Sequence, residues 1–318
     1  MVLNKINKTA KQFFSFLLKI SYNKNGDGII MKKIIYLFKR IINMDFGNFK
    51  NTVKKMAIKN NRSYIMTFLD VVYCGLKYQA GYRDYELFAM DQLDAKQRKT
   101  ILTRGINNSI MKKYNNPKYV DIFDNKHLFN QKYNKYLNRE WLYLDGKNQE
   151  EFAKFLIKHK QVVVKPISES CGRGVEIIDW VKGKEQTIYN KLIDNKQLLI
   201  EEVATQCSEL DKLHPYSINT MRIVTLKGKV VVAFLRIGNN KNKVDNFNHE
   251  GLAAPINIST GIIDYLAIDK AGNQYEKHPV TNEPILWLKI PKWTRIKKFC
   301  ETVSKITPEV GYVGWDVS

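Results

Sequence analysis

Apolar positions recur at helical spacing through the first third of the chain and give way to short β-branched runs after about residue 118. In residues 1–45, two apolar, basic segments, 10–20 and 30–42, are separated by the breaker Asn25-Gly26-Asp27-Gly28 and predict two helices. Projected as a helix, the second places Met31, Ile34, Ile35, Phe38, Ile41 and Ile42 on one face and Lys32, Lys33, Lys39 and Arg40 opposite. Such a helix either docks on its own protein or lies in an anionic membrane interface. Residues 52–116 are tyrosine-rich and helical, with Ile65, Phe68, Leu69, Val72 and Leu76 at helix-like spacing before Arg83-Asp84-Tyr85-Glu86-Leu87-Phe88. Met31 is a second candidate start, which would leave residues 1–30 outside the translated protein.

Beyond residue 118, runs rich in Val, Ile and Leu at 161–165, 197–201, 221–225 and 230–235 predict strands, and 187–194 predicts a helix between two of them. Thr225-Leu226-Lys227-Gly228-Lys229-Val230 carries a hairpin signal. The fold class is therefore α+β with antiparallel content rather than a regular β-α alternation.

Composition narrows this picture modestly. With 318 residues, 44% of them hydrophobic, the chain can bury a sizeable core and is not a disordered tail. Lysine and arginine exceed acids by 52 to 31, and the resulting +21 favours anionic partners such as phosphates, nucleotides or acidic lipid. Nucleic-acid binding is not expected, because no RNP-type aromatic motif, zinc spacing or basic repeat accompanies the charge. Cys74, Cys171, Cys207 and Cys300 show no metal-ligand spacing and read as reduced thiols, so the protein is expected to be cytoplasmic. No apolar run approaches the ~18 to 20 residues of a membrane span.

The chemistry concentrates in Val162-Val163-Val164-Lys165-Pro166-Ile167-Ser168-Glu169-Ser170-Cys171-Gly172-Arg173-Gly174. A strand ending in lysine sets an ammonium at a fixed height, and a small-residue loop behind it lets backbone N–H groups approach the same phosphates. Alone, Gly172-x-Gly174 could equally be a hairpin turn. Past the intervening helix, Leu198-Leu199-Ile200-Glu201-Glu202-Val203 is an apolar strand meeting paired acids, a segment able to offer main chain to an adenine edge. In protein kinases the glycine loop precedes the lysine and HRD and DFG motifs follow; here the loop follows the lysine and neither motif occurs.

His214-Pro215-Tyr216-Ser217-Ile218-Asn219-Thr220-Met221-Arg222-Ile223-Val224-Thr225 resembles the HPxSxNTxRxxT signature of the sugar-transfer-associated ATP-grasp family, whose members are similar to carboxylate-amine ligases and are linked to cell-surface polysaccharide synthesis. Phe234-Leu235-Arg236-Ile237-Gly238, Val244-Asp245-Asn246-Phe247, Gly314-Trp315-Asp316-Val317 and Asp124-Asn125-Lys126-His127-Leu128-Phe129-Asn130 are further family-like pieces, and the resemblance runs from about Gly81 to the end. It implies an ATP-grasp fold, two α+β lobes sandwiching nucleotide, after a helical N-terminal region. The expected divisions are basic amphipathic helices in 1–45, a helical region in 46–117, a lobe with glycine-rich lid and hinge in 118–204, and a second, incomplete lobe in 205–318.

Carried over by position, the resemblance implies ATP and Mg²⁺ as cofactors and small carboxylate and amine substrates, sugar-linked or free. Lys126 and Lys165 would contact the phosphates, and Ser170, Gly172, Arg173 and Gly174 would form the lid. Glu201, Glu202 and Val203 would line the adenine hinge, with Glu209 for the ribose and Asn219 as a neutral donor near the phosphates. Arg222 and Arg236 sit within apolar strands, where each would either pair with a structural carboxylate or clamp the γ-phosphate and the acyl-phosphate made from it. His214 reads as a turn former, and the loop 245–251 as an acceptor-binding loop or an exposed hairpin tip. Asp316 would be one metal ligand, its hard oxygens suiting Mg²⁺. The Glu-x-Asn pair expected to follow it does not occur before Ser318, so a truncated product or fragment is expected. The alternative is a nucleotide-binding partner peripheral to the inner membrane through residues 1–45.

Overall fold

The computed structural model describes residues 45–169, 172–239 and 251–318. The predicted helices of 10–20 and 30–42, together with Ser170, Cys171 and residues 240–250, lie outside them. The chain divides into two compact units at Asn108/Ser109.

The first unit is helical. Its elements are α1 (Phe46–Lys59), α2 (Tyr64–Lys77), α3 (Tyr82–Leu87) and α4 (Ala95–Arg98). Asp45 caps α1 by accepting from the Asn48 N–H at 3.0 Å. Val53 and Met56 of α1 pack against Val71 and Cys74 of α2 and Tyr85 of α3. Asp70 is fixed inside by a two-pronged pair with Arg98 (2.7 and 2.8 Å) and by the Tyr85 hydroxyl at 2.7 Å. Burial of its thiol pushes Cys74 up to about 11, so it is inert packing.

α5 (Arg104–Tyr114) contains the division, and α6 (Pro117–Asp124) and α7 (Lys126–Tyr133) follow. Next come β1 (Trp141–Tyr143), α8 (Gln149–His159), β2 (Gln161–Lys165), β3 (Glu176–Asp179), α9 (Glu185–Asp194) and β4 (Leu199–Glu202). These strands form an antiparallel sheet in the order β1-β4-β2-β3. Strand alternation sends Leu142, Val162, Val164 and Ile200 into a core with Phe152 and Leu156 of α8 and Tyr189 and Leu192 of α9. By the same alternation, Lys165 and Glu201 point to the other face.

The second sheet uses β5 (Thr220–Leu226), β6 (Lys229–Ile237), β7 (Leu252–Pro255), β8 (Ala267–Ile268), β9 (Gln274–Tyr275) and β10 (Tyr312–Val317), with α10 (Ser208–Leu213) before it and α11 (Trp293–Val303) inserted before its last strand. Its order is β10-β5-β6-β7-β8-β9. The predicted hairpin joins β5 to β6 through Lys227 and Gly228, both at positive φ (48° and 77°), as a two-residue loop between right-twisted strands requires. Met221, Ile223, Leu235, Ile237 and Trp315 fill one face against Trp293, Cys300 and Val303 of α11. No helix of the described residues is long and apolar enough to cross a membrane.

Candidate functional site

α7 connects the two sheets. Asn125 caps it, accepting from the N–H groups of His127 and Leu128 at 3.0 and 3.1 Å. On one side the His127 ring lies 4.1 Å from that of Tyr143 on β1, and Asn130 donates to Glu201 of β4 at 3.0 Å. On the other, Phe129 and Tyr133 join Phe123 and Trp315 of β10 in an aromatic cluster, and the Tyr133 hydroxyl bonds Thr307 at 3.0 Å.

Beneath α7 lies a charged cluster. Glu201 is only 3% exposed and accepts from Lys165 Nζ, from Arg139 Nη2 at 3.0 Å and from Asn130. Burial pushes its carboxyl up, but the charges of Lys165 and Arg139 and their hydrogen bonds more than offset this and hold it at about 2. Lys126 places its ammonium on the carbonyls of Pro166 (3.1 Å), Ile167 (3.3 Å) and Glu169, and its main-chain N–H bonds the Ile167 carbonyl at 3.1 Å. Burial and the neighbouring Lys165 charge lower its pKa, with Glu201 and Glu169 acting in the other direction. Three cations, Lys126, Lys165 and Arg139, thus gather near one buried carboxylate, Glu201, with the exposed Glu169 carboxylate also acting on Lys126.

The loop after Lys165 is the connection of the β2–β3 hairpin, which is the hairpin-turn reading of Gly172-x-Gly174. Gly172 and Gly174 have φ of 75° and 67°, and a Cβ on Gly174 would stand 2.7 Å from the Pro166 ring. Only glycine lets the loop fold back so closely. Buried Gln197 anchors its far end, donating to the Gly174 carbonyl at 3.0 Å and to Glu176 at 2.9 Å. Arg173 is exposed and 3.4 Å from Glu169.

On the second sheet, Arg222, Arg236 and Asp316 come together because β10 and β5 pair Asp316 with Arg222, while β5 and β6 pair Arg236 with Thr220, two residues along. Arg222 approaches Asp316 with Nε at 2.6 Å and Nη2 at 2.9 Å, and Arg236 donates to Oδ1 at 2.8 Å. Gly314 makes room, since a Cβ there would stand 2.7 Å from Arg222 Nη1. Of the two roles open to the strand arginines, the carboxylate pair is the one formed. Asp316 also answers the expectation of a metal ligand differently. Both its oxygens are engaged by guanidinium groups, and no cluster of three or more potential metal-ligating side chains occurs among the described residues. The donors described therefore do not compose a magnesium site, and no chemical step is assigned to a metal here.

Asn219, expected near the phosphates, is fully buried. Its amide donates to the Leu210 carbonyl (2.7 Å) and to Gln206 Oε1 (3.0 Å), and its oxygen accepts from the Gly238 N–H (3.2 Å). A ligand role is thereby replaced by a structural one. Gln206, in the segment linking the sheets, donates to the carbonyls of His214 (3.2 Å) and Ser217 (3.1 Å). His214 bonds Ser217 at 2.9 Å, completing the turn expected of it. His278 accepts from Val280 and Thr281 N–H groups through Nδ1, so its Nε2–H donates to the Gly238 carbonyl at 2.8 Å, and burial keeps the ring neutral by lowering its pKa. A Cβ on Gly238 would meet Ser217 Oγ at 2.2 Å and His214 Nδ1 at 2.3 Å. His214, Ser217 and Asn219 of the HPxSxNT stretch therefore form a buried knot at the roots of the strands carrying Arg222 and Arg236, while Pro215 and Tyr216 stay exposed.

Of the three residues expected at the hinge, Glu201 is held in the charged cluster, and only Glu202 and Val203 lie outside it. Glu202 ends β4 with its N–H on the Glu140 carbonyl at 3.0 Å, Val203 leads out of the sheet, and Glu209 is exposed on α10, accepting from Ser208 at 3.0 Å. Asn130, Arg139, Gln197 and Gln206 were not anticipated from sequence. Arg139 lies in the polar run Asn138-Arg139-Glu140, and the glutamines carry no motif.

Residues 105–318 match the model of a family described as sugar-transfer associated ATP-grasp. No match is found among curated proteins. Similar solved structures include the ATP-grasp ligase PsnB complexed with a phosphomimetic variant of minimal precursor, Mg and ADP, at 10% identity over 64% of this chain and 48% of that one, with a TM-score of 0.37. A D-alanine–D-alanine ligase from Bacillus anthracis is 13% identical over 66% of this chain and 59% of that one, also at 0.37. The D-cycloserine synthetase DcsG is 10% identical over 59% and 71%, at 0.28. The aligned part is about half the length of PsnB, at 48%. At these scores the likenesses carry no weight beside the family match.

Proposed function

The chain belongs to the sugar-transfer-associated ATP-grasp family, and on that premise we propose that its second unit binds ATP and couples its hydrolysis to joining a carboxylate to an amine. One observation carries the nucleotide half of this reading. Lys126, Lys165 and Arg139 outnumber Glu201 at the foot of a glycine loop, which gives a fixed cationic seat for a polyphosphate. Phosphate oxygens would take the place of the loop carbonyls now solvating Lys126 and would share Lys165 with Glu201. Gly172, Arg173 and Gly174, with Ser170, would fold over them. The adenine edge would lie at Glu202 and Val203 where β4 ends, with Glu209 for the ribose.

Arg222 and Arg236 would then steady the γ-phosphate. A substrate carboxylate oxygen attacks the γ-phosphorus, ADP leaves, and the amine attacks the carbonyl carbon of the resulting acyl-phosphate and expels phosphate. The protein's part is positioning and charge neutralisation rather than covalent catalysis. We further place the reaction in cell-surface polysaccharide synthesis in the cytoplasm, with a sugar-linked acceptor or donor; the sugar-transfer association in the family's description is what supports the sugar link.

The arginine-bound state of Asp316 favours a second reading, a nucleotide-binding partner protein without turnover. Calorimetry with Mg-ATP tests the seat: Lys165→Ala should weaken binding at least tenfold, and an unchanged affinity would remove the assignment. Phosphate release over a panel of carboxylate and amine pairs separates ligase from binding partner.

A further inference from the structure

α2 is apolar on two sides. Val71 and Cys74 are buried against α1 and α3. The opposite side exposes Ile65 (67%), Leu69 (54%), Val72 (38%) and Leu76 (58%), with Met66 and Tyr73 along one edge and Phe68 along the other. These side chains leave about 100 Å² uncovered apiece and about 700 Å² together, more than the roughly 300 to 600 Å² of the largest apolar patch on a typical monomer and within the roughly 600 to 1,000 Å² per copy that a stable interface buries.

The charges of the helix are kept off this face. Asp70, its only acid, turns inward to a two-pronged pair with Arg98, and Lys77, its only cation, lies in the last turn with its ammonium on the Tyr73 hydroxyl. A helix lying in an anionic lipid interface carries several Lys or Arg beside its apolar face. α2 offers one, so the face suits an apolar protein surface better than lipid headgroups. Ile65, Leu69, Val72 and Leu76 are spaced four, three and four apart, the a and d positions of a helix pair. That spacing reads the same in both directions, so the stripe complements a reversed copy of itself.

We propose that the chain dimerises by laying α2 against α2 of a second copy, antiparallel across a two-fold axis that passes between Leu69 and Val72. Leu69 of each copy then meets Val72 of the other, and Ile65 meets Leu76. The antiparallel sense keeps the two Lys77 ammonium groups at opposite ends of the pair and opposes the helix dipoles, whereas a parallel pair would bring the cations together. The pairing is independent of the nucleotide reading.

The test uses the full chain. In sedimentation equilibrium it should run as a dimer at micromolar concentration. Leu69→Asp, which buries an unpaired carboxylate against Val72 of the other copy, should weaken association about a hundredfold or more and leave the circular dichroism unchanged. A monomeric unaltered chain, or a dimer that Leu69→Asp does not weaken, overturns the proposal. Cross-linking reads the register independently: with Cys171 and Cys207 replaced by serine, a Leu69→Cys chain mixed with a Val72→Cys chain should form a disulfide-linked dimer. Ile65→Cys should not link to itself, because the two Ile65 positions stand about 16 Å apart along the pair. Self-linkage there would mean a parallel pair. Leu69→Cys shielded from thiol reagents in a monomer would mean a cover from the same chain, and shielding that arises only with phosphatidylserine vesicles would mean lipid. Each of these three results sinks the proposal.

Discussion

Glu201→Gln keeps the shape of a side chain that is 3% exposed and removes the charge facing Lys165 and Arg139. A carboxyl held at about 2 instead of 4.5 corresponds to about 3 kcal/mol favouring the folded, ionised state. Lys165 and Arg139 are 25% and 33% exposed, so water recovers part of the loss, and the variant should be less stable by about 2–3 kcal/mol at pH 7. Because the folded pKa is depressed, the contribution is present above about pH 4.5 and disappears as pH falls toward 2; roughly half remains at pH 3. Urea unfolding followed by tryptophan fluorescence reads the relevant unit, since Trp141, Trp180, Trp287, Trp293 and Trp315 all lie beyond residue 108. Other carboxylates titrate alike in both proteins, so the difference between them isolates Glu201. A stability gap that stays flat from pH 7 to pH 3, or a variant as stable as the unaltered chain, would refute the reasoning.

Asn219→Ala should cost about 2–4 kcal/mol in urea, because it strands the Gly238 N–H and the Leu210 carbonyl in a dry interior. Gly314→Ala meets only the end of the Arg222 side chain, so stability should change by less than about 1.5 kcal/mol. Displacing Arg222 should nevertheless reduce the preference for ATP over ADP at least threefold in calorimetry; an unchanged preference would dissociate Arg222 from the γ-phosphate. Burial pushes the Cys300 thiol up to about 12, so thiol reagents should modify exposed Cys207 at once and Cys74 and Cys300 only on unfolding. Prompt modification of all three would contradict the packing.

Much of this protein was determined by local order along the chain. The β-branched run 161–165 became β2 with Lys165 at its end, because strand alternation and the Pro166 that follows are local constraints. The Lys227-Gly228 hairpin was equally legible, and the order of lysine, glycine loop, acidic hinge and strand arginines distinguished an ATP-grasp chain from a kinase. What each polar residue touches was decided only in three dimensions. Glu201 gains partners 71, 62 and 36 residues away, and Asp316 reaches its arginines through a register set over 94 and 80 residues. Asn219 reads as a neutral donor near the phosphates, yet Gln206, Leu210 and Gly238 close around it and turn it into a fastening. Gly314 has an ordinary sequence context, and its meaning comes from a guanidinium on the neighbouring strand. Periodicity reports which face of an element is buried, because that depends on residues three or four apart in a helix or two apart in a strand. Burying a charge depends on the counter-charge that the tertiary fold supplies, which no local pattern can specify.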